Sequence, residues 1–174
     1  MTKFRRHLSR TSIILAAFIT IVTLGTASLA RSNREGAPPA IPSASAPADA
    51  APVSVVKVID GDTLDVLAAT TTLRVRLYGV DTPERGDACY AEATARLTAL
   101  AGSRVLLVPD ERTTDHFGRE LRYVFTANGQ SIDDALVREG LALAWREDGS
   151  RRDALVAVEE AARASKTGCL WSSR

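Results

Sequence analysis

Cysteine, histidine and spare positive charge are all scarce in this chain. Two cysteines in 174 residues are too few for a disulfide-dense mini-scaffold or a self-contained four-cysteine zinc site. Two histidines make a histidine-rich metal centre untenable. A formal net charge of +1 lacks the basic surplus that marks most nucleic-acid-binding proteins. No collagen-like or coiled-coil composition and no internal repeat is present. What is there is an ordinary 45% hydrophobic fraction, which excludes wholesale disorder. The length suits one domain.

The charge is unevenly spread. Residues 1–30 contain Lys3, Arg5, Arg6 and Arg10 and no acid, and nothing is charged from Thr11 to Ala30. A basic start, an apolar run (Ile13–Leu24) and the small-residue exit Ser28-Leu29-Ala30 have the layout of an export signal. An uncleaved membrane anchor is the alternative, because a bilayer span needs roughly 20 residues. Both readings put the remainder outside the cytoplasm: secreted, periplasmic or at the cell surface. Residues 31–52, rich in Pro, Ala and Ser, read as a disordered tether. From Val53 onward, 16 basic and 19 acidic side chains leave the remainder at −3, and only Lys57 and Lys166 among those bases are lysines.

Val53–Ile59 and Thr63–Leu67 read as strands around an Asp60-Gly61-Asp62 hairpin turn. Leu73, Val75 and Leu77 alternate with Arg74, Arg76 and Tyr78, a strand with one apolar face. Tyr90, Ala93, Leu97 and Leu100 fall at helical spacing and Gly102 stops that helix. Arg104–Val108 and Leu121–Thr126 complete five strands. Ser131 caps a helix that Gly140 ends. Ser150 with Asp153 repeats the capping pattern before Ala154–Ala164, and Gly168 closes that helix. The order β-β-β-α-β-β-α-α predicts an α+β fold: a five-stranded OB-type Greek-key barrel with about three packed helices, over residues 53–171.

Chemistry-bearing residues concentrate at strand ends and loops, where sites are usually built. Asp62 and Asp81 supply hard carboxylate oxygens suited to Ca²⁺ or Mg²⁺. Glu84 is a candidate base on water. Arg76 and Arg119 can clamp a phosphate and neutralise charge growing on its oxygens. Each feature alone has a plain structural reading as a turn, a cap or a salt bridge. Together they are the set that metal-assisted phosphodiester cleavage needs.

Four strings occur in order: Val-Ile-Asp-Gly-Asp-Thr (58–63), Arg-Leu-Tyr-Gly-Val-Asp-Thr-Pro-Glu (76–84), Thr-Asp-His-Phe-Gly-Arg (114–119) and Ala-Leu-Val-Arg-Glu-Gly-Leu-Ala (135–142). On these, the segment 53–171 resembles the staphylococcal nuclease (thermonuclease) family. The resemblance implies an endonuclease hydrolysing phosphodiesters in DNA or RNA by attack of water, with the 5′ oxygen leaving. It implies calcium ligands at Asp62, Asp81 and the backbone carbonyl of Thr82. It also implies a water-activating Glu84 and phosphate-binding Arg76 and Arg119. The alternative is a non-catalytic OB-fold nucleic-acid-binding module, against which all five acids and arginines stand intact.

The chain departs from the family where it has His116-Phe117 in place of a Lys-Tyr pair, and Leu-Ala-Trp-Arg-Glu-Asp at 143–148 where tyrosines commonly hold a base. Trp145 is then either a stacking face or a packing residue. Cys89 and Cys169 in an oxidising compartment invite one bridge, which the sequence alone leaves open. The expected partner is a nucleic-acid substrate bound by a monomer, with a membrane involved only if residues 1–30 stay attached. At −3 few cations are left to displace counterions, so weak, local binding with a shallow salt dependence is expected.

Overall fold

β-branched and leucine residues in short alternating runs build a closed barrel. The computed structural model describes residues 42–48 and 50–172. The signal or anchor expected over 1–30 lies outside them, as does much of the expected tether. Strands β1 (Pro52–Val58), β2 (Thr63–Ala68) and β3 (Thr71–Leu77) form an antiparallel meander. A register shift between Val55 and Lys57 bends β1, as closure requires. β4 (Val80–Asp81) follows, then helix α1 (Tyr90–Ala101), β5 (Arg104–Val108) and β6 (Glu120–Thr126). The order around the barrel is β1-β2-β3-β6-β5, closed by the antiparallel β1–β5 pair; β3 and β6 run parallel. After β6 come α2 (Ile132–Arg138), β7 (Leu143–Ala144), α3 (Arg152–Ala164) and α4 (Gly168–Trp171). The predicted barrel with outer helices is therefore present, with a small β4–β7 ribbon and a fourth short helix added.

Leu64, Val66, Val75, Leu77, Val105 and Val124 fill the interior with no exposed surface. Each such side chain contributes roughly 1.5–3 kcal/mol of burial. α1 lays Ala93, Leu97 and Ala101 on the core, one every four residues. The cap on α2 is as expected: Asp134 N–H donates to Ser131 Oγ at 3.1 Å.

Three local expectations fail for tertiary reasons. Ser150 does not cap α3. Its N–H donates to Asp110 Oδ2 at 2.6 Å, so the chain turns toward the 110 loop and Arg151 takes the cap position without a side-chain bond. Gly168 does not close α3, which ends at Ser165; it opens α4. Arg76 and Tyr78, expected on a polar face, are both buried, because Arg76 folds under β4 and Tyr78 stacks on Tyr123. Within the segment expected to be a tether, Ala46 N–H donates to Gly129 O at 3.0 Å and Ser131 N–H to Ala44 O at 3.3 Å.

Cys89 and Cys169, 80 positions apart in sequence, are bridged, with Cα atoms 5.7 Å apart. Closing such a loop contributes about 4 kcal/mol in the chain-entropy account. The bridge lands on α4, which docks against the end of α2: Leu170 N–H donates to Gly140 O at 3.0 Å. That approach needs glycine at 168, where φ is +73 and an added Cβ would stand 1.8 Å from Glu139 O. Gly168→Ala should therefore destabilise the protein by about 2 kcal/mol or more, read as a lower urea midpoint. An unchanged midpoint would show that α4 is free to shift.

Candidate active site

Elements distant in sequence converge beside β4. Asp62 lies in the β1–β2 turn, Arg76 on β3, Asp81 on β4, and Arg119 just before β6. Gly61 lets the first turn press close: a Cβ there would stand 2.7 Å from Thr82 Oγ1 and 2.9 Å from Ala93 Cβ. Asp62 is buried and fully engaged. Its Oδ2 accepts from Thr82 N at 2.9 Å and Thr82 Oγ1 at 2.8 Å. Its Oδ1 accepts from Thr63 Oγ1 at 3.1 Å and meets Arg76 Nε at 3.0 Å.

Arg76 braces the two carboxylates. Its Nη2 donates to Asp81 Oδ1 at 2.8 Å, while Nη1 donates to the carbonyls of Leu77 and Val80, each at 2.5 Å. Four of the five guanidinium N–H groups thus have partners inside the protein. Its side chain is 11% exposed, against 53% for Asp81, so Asp81 is the solvent-facing acid of the pair.

Arg119 is held differently. Asp115 Oδ2 takes its Nε at 2.7 Å, and Asp115 Oδ1 takes the backbone N–H groups of Phe117 and Arg119, each at 2.9 Å. Burial alone would raise the Asp115 carboxyl, but the bonds from Arg119 outweigh it and hold it below its ordinary value. Arg119 Nη1 lies 3.5 Å from Thr63 Oγ1, which places the Thr63 hydroxyl between Asp62 and Arg119. Most of the Arg119 fork remains available to a ligand. Glu84 is exposed; its backbone N–H donates to Asp87 Oδ2 at 3.2 Å and its carbonyl accepts the N–H of Asp87 at 2.9 Å, which leaves its carboxylate without a side-chain partner among the described residues. Asp60 Oδ1 accepts the N–H of Asp62 at 3.1 Å, and burial with the neighbouring Asp62 charge raises the Asp60 carboxyl.

Arg76, Asp81, Glu84 and Arg119 line one cleft of about 270 Å³; Asp62 and Thr82 lie behind it through Arg76 and Asp81. Among the described residues, no group of three or more His, Cys, Asp or Glu side chains encloses a metal position. Asp81 is the acid open to the cleft, whereas both oxygens of Asp62 are engaged by Thr82, Thr63 and Arg76. Carboxylate oxygens are hard donors, of the kind that Ca²⁺ and Mg²⁺ take.

Of the opposite wall, the sequence marks Trp145 alone, as a stacking face or a packing residue. Tyr78, Arg112 and Trp145 line the same cleft. Arg112 grips Asp148 with Nε at 2.6 Å and Nη2 at 2.9 Å, and Asp148 Oδ1 also accepts Trp145 Nε1 at 2.8 Å. Arg112 lies 5.1 Å over the Tyr78 ring. Arg112 and Asp148 are 36 residues apart, and no motif joins them. His116 is exposed on the cleft rim with its ring against Phe117.

A closed barrel that gathers Asp81, Glu84, Arg76 and Arg119 at one rim has the fold and residue set of a class: nucleases built on an OB-type fold. Comparison with known proteins agrees. Residues 74–173 match the family described as Staphylococcal nuclease homologue. The chain is 39% identical over 127 residues to Micrococcal nuclease of Shigella flexneri, covering 68% of this chain and 72% of that protein. It is 36% identical over 127 residues to Protein ParB of Escherichia coli, covering 68% and 71%. It is 38% identical over 97 residues to Thermonuclease of Staphylococcus intermedius, covering 52% and 57%. The chain belongs to the staphylococcal nuclease family, and its enzyme class is a phosphodiester-hydrolysing nuclease.

The cleft wall carries a pH signature. Hydrogen bonds from Arg112 hold the Asp148 carboxyl at about 2, against an ordinary value near 4. A depressed carboxylate stabilises the fold above its unfolded pKa and loses that contribution as pH falls through its folded pKa. Asp148→Asn should lower stability at pH 7 and flatten the loss of stability between about pH 4 and pH 2. Acid unfolding followed by tryptophan fluorescence reads this. Parallel curves for the two proteins would contradict it.

Proposed function

We propose that the chain is an exported, calcium-dependent nuclease that cleaves DNA or RNA by attack of water on a backbone phosphodiester. The observation that carries this is the Arg76 brace, which holds Asp62 and Asp81 together beside Glu84 and Arg119. Asp62, Asp81 and the Thr82 carbonyl would hold the calcium. When bound, the ion supplies a Lewis acid for the phosphate and an acidified water. Glu84, exposed and without a side-chain partner among the described residues, orients the attacking water or takes its proton on a carboxylate oxygen. Arg119 offers its free N–H groups to the phosphate oxygens. Arg76 contributes its charge and one remaining N–H while keeping the two acids in place. The oxygen–phosphorus bond to water forms and the bond to the 5′ oxygen breaks. Export is supported by the layout of residues 1–30 and by the Cys89–Cys169 bridge, since such bridges persist in oxidising compartments.

The test uses single- and double-stranded DNA and RNA with Ca²⁺ or EGTA. Cleavage should require Ca²⁺. Glu84→Gln should lower kcat by roughly 10²–10⁴-fold. Arg76→Lys should lower it by roughly 10²–10³-fold, because an ammonium cannot span both carboxylates and both carbonyls. Binding without cleavage would point to the non-catalytic module, and cleavage with Mg²⁺ alone would overturn the metal assignment.

A further inference from the structure

Glu84 stands on a segment that the fold supports at its two ends but hardly in the middle. At one end, Thr82 is fixed by two hydrogen bonds to Asp62. From Glu84 to Ala88 every residue is exposed. The backbone bonds of this stretch are local: Glu84 N–H to Asp87 Oδ2, Asp87 N–H to Glu84 O at 2.9 Å and Tyr90 N–H to Asp87 O at 3.5 Å. Behind the segment lies an open groove of about 420 Å³, with Leu143 and Leu170 on its far side. Close packing, which fixes side chains elsewhere in the domain, is missing here.

The far end of the segment is Cys89. It occupies the cap position of α1 with φ +73 and makes no side-chain cap bond. It is buried, its carbonyl accepts the N–H of Ala93 at 3.0 Å in the first turn of α1, and its side chain is bridged to Cys169 on α4. α4 has no side-chain cap and no buried residue of its own. It is held by Leu170 N–H on Gly140 O and by the tight approach of Gly168 to Glu139. The bridge transmits this attachment to the end of the segment that carries Glu84.

We propose that Cys89 and Cys169 are positioning residues for Glu84, and that their redox state gates hydrolysis: the folded enzyme is competent when bridged and impaired when the bridge is open. The inference rests on the role assigned to Glu84 above. Bridge formation removes two protons and two electrons from the two thiols and passes them, by thiol–disulfide exchange, to a disulfide oxidant, which leaves as a dithiol. A dithiol reductant reverses the exchange and departs as its own disulfide. A nuclease made in a reducing compartment then stays impaired until it reaches an oxidising one.

The full chain is assayed with Ca²⁺ and single-stranded DNA in three forms: oxidised, reduced with a dithiol, and as the Cys89→Ser/Cys169→Ser double variant. Thermal unfolding, near-UV circular dichroism and Ca²⁺ titration calorimetry are recorded beside the rates. The open forms should be folded at the assay temperature, with KM and Ca²⁺ affinity within about threefold of the oxidised protein. Their kcat should be lower by roughly 10–10²-fold, the scale of a misplaced catalytic group, and reoxidation should restore it in the reduced protein. In a Glu84→Gln background, reduction should change the residual rate by less than about twofold, because the bridge acts through Glu84. Three results would overturn the proposal: an unchanged kcat on reduction, an equal fall in the Glu84→Gln background, or open forms that are unfolded, which would make the bridge a general staple. An oxidised protein that cleaves no nucleic acid would overturn the functional reading and the gate together.

Discussion

A single buried guanidinium sets the geometry of this molecule's chemistry. Burying a charge costs several kcal/mol unless it is paired and hydrogen-bonded. Arg76 meets that condition through Asp62, Asp81 and the carbonyls of Leu77 and Val80. Those partners belong to the β1–β2 turn, β3 and β4, so one side chain fixes three elements at one rim of the barrel. Without it, Asp62 and Asp81 would keep their positions against mutual repulsion, and the Val80 carbonyl would lose its buried donor. The hydrogen bonds from Thr82 to Asp62 extend the same brace to the segment that carries Glu84.

The two arginines divide the work. Arg76 is spent on the protein, and Arg119, held by Asp115 at one nitrogen, keeps most of its donors for a ligand. The paradox of the charge resolves in the same terms. The −3 charge of the segment from Val53 onward does not stand unopposed at this rim, because Arg76 neutralises Asp62 and Asp81 in place. The opposite wall, with Asp148 tying Arg112 to Trp145, gives the cleft a rigid aromatic face. There the indole is pinned by its nitrogen, whichever use its ring serves.

Much of this was legible in the residues. The valine-rich runs, the alternation up to Val75, the Ser131 cap and the stop at Gly102 depend on neighbours close in sequence, and they hold. The failures occur where a distant group competes. Asp110 draws off Ser150, the α2 terminus claims Gly168, and β4 covers Arg76. Of the site, the motif strings contain Arg76, Asp81, Glu84 and Arg119, but not Arg112 on the opposite wall. They gave no hint that Arg76 is nearly saturated, or that Arg112 and Asp148 meet. Those facts belong to the barrel's closure, which brings strand ends together irrespective of spacing along the chain.

The most direct test is a crystal structure of the protein with Ca²⁺ and a non-hydrolysable dinucleotide. The ion should lie about 2.3–2.6 Å from oxygens of Asp62, Asp81 and the Thr82 carbonyl, with the guanidinium of Arg76 still touching both carboxylates. An ion bound elsewhere, or Arg76 swung away from both acids, would contradict the account.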